Sequence, residues 1–319
     1  MVKKFVLQWI TFFMILMISL TSVHNPITTG YIYELRSEAE TVLKVEDPLF
    51  SEIKQKQLEY NIEPKDAVID KVWKAIPGYN GLAVDVEASY EKMKKEGTFE
   101  EENLVFNEIP PKTMLKDLPA APIYRGNRQK PMVSFMVNVA WGNEYLPDML
   151  KTMKDHDVRA TFFLDGSWVK NNPKLAKMII EEDHEIGNHA YSHPNMKNLS
   201  RSRINQEIQS TNEIIEATIN KKPRWFAPPS GSYRQEVVDV AYEYGMRTVL
   251  WTVDTIDWRN PEYTSMAHRV IEKVEPGSLI LMHPTASSAK GLELMIKGIK
   301  EKDLHIGMLS ETLSESRVK

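Results

Sequence analysis

The chain has 319 residues, 26% of them charged, a formal net charge of −4 and no cysteine. Its length suits one large domain, or one domain with a smaller module, and its ordinary composition excludes a disordered chain. No basic surplus points to nucleic acid, and the lack of cysteine excludes disulfides and a lipid-modified cysteine anchor.

Lys3 and Lys4 precede an apolar run from Phe5 to Leu20 that only Gln8, Thr11 and Ser19 interrupt. A short positive segment before such a run is an export signal. Residues 1–23 read as a signal peptide or as an N-terminal membrane anchor. Thr21, Ser22 and Val23 make a poor small-x-small cleavage site, and the run is close to the ~17 residues that span a bilayer. With the lysines on the cytoplasmic side, the chain after His24 lies outside, secreted or held on the outer face of the membrane through this segment.

Residues 24–128 carry no motif with readable chemistry and form a module or linker of unknown role. Pro77-Gly78-Tyr79-Asn80-Gly81 is a turn cluster. The prolines between Ile109 and Pro122 block helix and central strand alike, which predicts an extended linker or clasp and a boundary near Arg125 to Gln129.

From residue 129 to 310 short apolar runs alternate with helical patterns. The runs are Met132 to Val139, Val158 to Leu164, Glu185 to Ala190, Arg224 to Ala227, Arg247 to Val253, Ser278 to Met282, and a weaker one at Leu304 to Met308. Helices are predicted over Pro173 to Glu182, with Asn172 as cap, and over Ser202 to Ile219. The pattern predicts an α/β fold, an irregular (β/α) barrel of about seven units, with residues 311–319 as a C-terminal tail. Barrel sites lie where strands end and βα loops begin. Asn138, Asp165, His189, His193, Pro228, Asp254, Asp257 and His283 all fall there.

His189-Ala190-Tyr191-Ser192-His193 places two imidazoles four residues apart, a spacing that converges on a divalent cation when it occupies one helical turn. Alone the pair is weak, since eight histidines produce such spacings by chance; its position at a strand end gives it weight. Asp254 and Asp257, flanked by Trp251 and Trp258, end another strand, and His283 ends the next. A carboxylate that holds an imidazole fixes its tautomer and raises its pKa, as a general acid requires. The bland alternatives are a satisfied structural histidine and tryptophans that pack the barrel.

In this order the motifs resemble those of the polysaccharide deacetylase (NodB-type, carbohydrate esterase family 4-like) domain, closest to a subgroup from spore-forming bacilli. The resemblance implies hydrolysis of N-acetyl groups on peptidoglycan or chitin-like polymers by a metal-dependent enzyme, zinc being the expected metal. It makes His189 and His193 metal ligands, His283 the general acid, Asp254, Asp257 and Trp258 the fourth motif, and Pro228 part of the third. Two motifs depart from the family. Counting back from Pro147 puts Asn138 at the catalytic-base position and Val139 at the metal-carboxylate position, with Ala140 in place of Gly. Ala227 stands where the family has the Arg that pairs with the base. A buried guanidinium without its carboxylate is costly, so the two losses belong together.

Asn138 cannot take a proton from water, and Val139 cannot ligate a cation. The leading expectation is an exported deacetylase homologue with hydrolysis absent or weak and metal binding doubtful. One alternative is an active enzyme with a rearranged metal shell in which Asp165 stands in, Glu144 and Asp148 being further off on the next helix. Another is a glycan-binding or scaffold protein of the cell wall or spore envelope, with Trp141, Trp251 and Trp258 as sugar platforms. Asp254 is the expected partner of His283, since the missing Arg leaves it free.

Overall fold

The computed structural model describes residues 5, 9–17 and 47–318. Residues 9–17 are helical; the cleavage residues Thr21, Ser22 and Val23 lie outside the described residues. Among the described residues no helix is long and apolar enough to cross a membrane. The elements before the barrel are α1 (Pro48–Tyr60), β1 (Val68–Asp70), β2 (Lys74–Ile76), β3 (Gly81–Val84), α2 (Val86–Met93) and β4 (Phe106–Ile109).

Contacts divide the chain into one unit of Met1–Ile62 with Leu82–Asn107, and a second of Glu63–Gly81 with Glu108–Lys319. In the first, Leu49, Phe50 and Ile53 of α1 pack with Val86 and Met93 of α2 and with Val84 and Leu104. Asp47 and Asp85 cap the two helices by accepting from Leu49 N at 2.8 Å and Ala88 N at 2.9 Å.

The second unit is built on the strands β5 (Met132–Val139), β6 (Thr161–Leu164), β7 (Glu185–Asn188), β8 (Trp225–Phe226), β9 (Arg247–Thr248), β10 (Val253–Asp254), β11 (Leu279–Met282) and β12 (His305–Ile306). Its helices are α3 (Leu146–Asp155), α4 (Gly166–Asn171), α5 (Pro173–Glu181), α6 (Arg201–Ile219), α7 (Gln235–Glu243), α8 (Tyr263–Lys273), α9 (Ala286–Lys300) and α10 (Leu309–Thr312). The strands pair in the order β10-β11-β5-β6-β7-β8-β9, all parallel, and β12 adds to the start of β5. This is the irregular α/β barrel expected from the alternation of apolar runs and helices.

Every residue of β5 is buried, as in a strand covered on both faces. Val133, Phe135, Val137 and Val139 join the core between sheet and helices, while Met136 joins a separate cluster with Phe163, Ala227 and Leu279. Asn138 shares the face of Met136 by period-two alternation. On α6, Ile204, Ile208 and Ile215 are fully buried, and the helix stops at Asn220 in the left-handed conformation (φ 53°). Asn172 precedes α5 as predicted, but its side chain does not cap; it donates to Trp168 O and accepts from Asn143.

One sequence expectation is corrected here. The run Arg247 to Val253 is two strands, β9 and β10, at opposite ends of the pairing order, so the barrel is open between them. Of the two readings of the proline-rich stretch, linker or clasp, the packing matches the clasp: it delivers Ile123, fully buried, whose N–H donates to Thr248 O and whose carbonyl accepts from Leu250 N. Leu115, Leu118 and Ile123 thereby share a core with Val249 and Leu279. Residues 309–315 pack onto the barrel. Leu309 and Leu313 enter the same core, Ser314 O accepts from Lys130 Nζ at 2.9 Å, and Glu315 Oε1 accepts from Leu115 N at 2.6 Å. Prolines and polar residues around a few apolar anchors read as a linker in sequence; only a gap in the barrel wall gives those anchors a place to be buried.

Candidate functional site

At the C-terminal ends of the strands a cleft of ≈ 410 Å³ is lined by Asn138, Trp141, His193, Ser230, Trp251, Asp254, Trp258, Leu281 and His283. The loop after β7 supplies the histidine pair. It is not a helical turn, as the spacing suggested: Ala190 (φ 60°) and His193 (φ 53°) are left-handed, and these kinks bring the two rings to 5.1 Å between centroids. Non-glycine residues there are uncommon and tolerated where the surroundings over-determine them. Glu207 of α6 provides that constraint. Its carboxylate is 1% exposed and accepts from Tyr191 N, Ser192 N and Ser192 Oγ at 2.8–2.9 Å, with Arg203 paired to it at 2.7 Å. Asn188 Oδ1 adds a bond from Ala190 N at 2.8 Å.

His189 is buried, and its Nδ1 lies 2.7 Å from Ala227 O. A carbonyl only accepts, so the proton is on Nδ1 and Nε2 carries the lone pair. Burial, then the neighbouring His193, pushes its pKa down to about 3, so the ring is neutral at physiological pH.

His283 is held by Asp257, not by Asp254. Asp257 is 1% exposed and accepts from His283 Nδ1 at 2.8 Å, from His283 N at 2.6 Å and from Ser288 Oγ. Asp254 caps its own turn, its Oδ1 accepting from Ile256 N at 2.7 Å. The cause is Ile256, left-handed at φ 52°, ψ 31°, which turns the chain so that Asp257 rather than Asp254 reaches His283. Trp141 stacks on His283, with centroids 5.8 Å apart and planes 8° from parallel. Gly142 makes this possible: at φ +81°, a Cβ there would fall 1.9 Å from Pro284 O.

The opposite side of the cleft is different. Asn138 is 3% exposed and its Oδ1 has no partner. Val139 does not face the cleft; it packs in the core with Leu146, Met149 and Trp168. Adjacent strand residues point to opposite faces, so the position cannot present a ligand beside Asn138 while β5 keeps its extended course. Ala227 is fully buried in the barrel interior.

Asp165 does not complete the histidine pair. It caps α4: its Oδ1 accepts from Trp168 N at 2.9 Å and Ser167 Oγ at 2.6 Å, while Oδ2 is buried without a partner, and burial raises its pKa. Glu144 and Asp148 fall at the start of α3 or just before it. A catalytic zinc takes three protein ligands and an open position. Among the described residues no three His, Cys, Asp or Glu are grouped to hold a metal. The residues present do not fit a catalytic metal. The intact part is an imidazole oriented by a buried carboxylate, the arrangement of a general acid, without an opposing base.

Glu207 and Ser288 are the supporting residues that motif reading missed. Glu207 had a signal: it lies next to Ile208 and three residues from Ile204 on the apolar side of α6, where an unpaired acid would be costly.

An open parallel (β/α) barrel with a histidine pair, an Asp-held histidine and three tryptophans around its rim defines a deacetylase-type fold with a degenerate site. Comparison agrees. The polysaccharide deacetylase family model matches residues 125–249. An uncharacterized protein of Bacillus subtilis strain 168, YlxY, is 49% identical over 318 residues, covering 100% of this chain and 99% of that one. The crystal structure of wild-type BA3943 from Bacillus anthracis, described as a CE4 family pseudoenzyme, aligns with a TM-score of 0.81 and 52% identity over 86% of this chain and 97% of that one. A mutant of it is described as having restored enzymatic activity (TM-score 0.81, 51% identity, 84% and 99% coverage). A peptidoglycan-N-acetylglucosamine deacetylase of Bacillus cereus is 32% identical over 179 residues, 54% of this chain and 65% of that one. The chain belongs to the polysaccharide deacetylase family.

Proposed function

We propose that this protein is exported to the cell envelope, where its cleft binds N-acetylated glycan of the peptidoglycan or chitin-like type with hydrolysis absent or strongly reduced. The observation that carries the reading is Asn138: at the position of the catalytic base the cleft presents an amide, which can donate to or accept from an intact acetamido group but cannot deprotonate water. Loss of a general base costs roughly two to four orders of magnitude in rate, and an incomplete metal shell compounds it. Trp141 and Trp258, 45% and 54% exposed, offer faces for the apolar sides of sugar rings. Likeness to a pseudoenzyme over most of the chain and to a peptidoglycan deacetylase over half of it supports both parts.

The positive segment and apolar run at the N-terminus carry the proposal of export, with the protein secreted or anchored on the outer face of the membrane. A cell-wall or spore-envelope scaffold is the setting that fits. Calorimetry with chitopentaose and with peptidoglycan fragments, beside an acetate-release assay on the same ligands, tests the reading. Binding without acetate is expected. Acetate release at the rates of active family members, or no affinity for any N-acetylated oligosaccharide, would overturn it.

A further inference from the structure

The fixed charge on the cleft wall is negative. Asp254 is the carboxylate that lines it, and among the described residues no lysine or arginine does. Asp254 Oδ1 accepts from Ile256 N, while Oδ2 has no hydrogen-bond partner among the described residues. That oxygen is not enclosed, as the unpartnered oxygens of Asn138 and Asp165 are. Asp257, a second carboxylate, lies buried behind His283. Its bond to His283 Nδ1 places the proton there, so the neutral ring presents a lone pair on Nε2. His283 lines the same cleft, and its side chain is 16% exposed.

Aromatic faces stand around that charge. Trp141, Trp251 and Trp258 line the cleft with Asp254, and tryptophan attracts a cation to its ring face more strongly than other side chains do. Two of these rings have one face taken by a flat group: His283 stacks on Trp141, and the Arg259 guanidinium lies 4.7 Å from the Trp258 centroid. Exposures of 45% and 54% leave their other faces accessible. Arg259 does not line the cleft, so the charge of Asp254 is unpaired there. A carboxylate oxygen, an imidazole lone pair and tryptophan faces, with no basic side chain among them, are the acceptor set of a site for an organic ammonium group.

We infer that the cleft takes a protonated amino sugar, the ammonium group of a glucosamine residue being held by Asp254 Oδ2 and His283 Nε2 beside the tryptophan faces. This rests on the reading that the cleft binds glycan, and it narrows the ligand to chains in which some acetamido groups have become free amines. The class of reaction that supplies such a chain is hydrolysis of glycan N-acetyl groups, for which this cleft lacks the base. The protein then follows a deacetylation and does not carry it out.

The test titrates the full chain by calorimetry with the glucosamine pentamer and with chitopentaose, at about pH 6.5, below the usual range of an amine. The glucosamine pentamer is expected to bind about tenfold tighter, a difference that a desolvated cation–π contact supplies. Raising salt from about 0.05 to about 0.5 M should weaken it toward the chitopentaose value, because only the charged ligand is screened. Asp254→Asn keeps an oxygen for Ile256 N and is expected to fold; it should lower the preference for the glucosamine pentamer about tenfold. If that variant does not fold, the salt series on the unaltered chain tests the same charge. Equal or tighter binding of chitopentaose, a preference that survives Asp254→Asn, or one that salt leaves unchanged overturns the inference, while the binding of acetylated glycan stands. Binding of the glucosamine pentamer alone supports it and overturns the acetylated ligand. Binding of neither overturns both.

Discussion

The two sides of the cleft rim have diverged to different extents. On one, Asp257 accepts three hydrogen bonds that tie His283 to α9 through Ser288, and the whole motif is kept. On the other, Asn138, Val139 and Ala227 stand where the family resemblance implies a base, a metal carboxylate and an arginine, and Asn138 keeps an oxygen with no partner. The first side is also structural: removing Asp257 leaves three donors, one of them fully buried, without their acceptor. The charges that the resemblance implies for the other side depend on each other and on a metal, so with one of them absent the others would be a burden. Chemistry can be shed where the fold does not rest on it.

The largest effect should come from rebuilding the replaced side. Asn138→Asp with Ala227→Arg and Val139→Asp together are expected to raise acetate release from chitooligosaccharide by about 10²-fold or more, while Asn138→Asp alone stays at background. Zinc titration should detect a site only in variants that carry Val139→Asp. Because Val139 packs in the core, that substitution should cost about 2–4 kcal/mol in a urea melt, and it can ligate only if the end of β5 turns it outward. A triple variant that folds yet binds no zinc would mean that the loop geometry has diverged as well.

Acid should distinguish the buried histidines next. The folded-state pKa of His189 lies at about 3 against an ordinary 6.5, so its neutral form is favoured by folding. Its contribution is complete above pH ~6.5 and is lost as pH falls toward ~3, by up to about 5 kcal/mol at ~1.4 kcal/mol per unit. His184, at about 4 through burial, adds to the same slope. His189→Gln should flatten stability against pH between ~6 and ~4, as followed by denaturant midpoints; an unchanged slope would show that His189 is not buried as a neutral ring.

Asp257→Ala should cost about 3 kcal/mol by the same measurement, whereas Asn138→Leu should stay within about 1 kcal/mol of the parent, since it removes an unpaired polar atom. Equal costs would erase the contrast between the two sides. The smallest effect is expected from Trp141→Ala, which should leave the midpoint nearly unchanged and weaken chitooligosaccharide binding about tenfold, within the range of one aromatic contact.

The sequence itself determined the barrel, the order of its strands along the chain and the rim on which the chemistry sits. Apolar runs alternating with helical periodicity leave few other ways to bury both, and parallel strands place all their C-terminal ends together. It also carried the departures from the family pattern that the resemblance implies at residues 138, 139 and 227. Period-two alternation already held the fact that Asn138 and Val139 point apart.

Only the tertiary structure decided which carboxylate holds His283, how the histidine pair meets and where Ile123 goes. The first depends on Ile256 and the second on Ala190 and His193, side chains that disfavour the left-handed conformation they adopt and hold it because Glu207, Asp257 and their partners over-determine the loops. Propensity describes a residue in isolation, and these positions are set by contacts from residues far along the chain. Ile123 is buried for the same reason: the opening between β9 and β10 that receives it exists only once the barrel has formed.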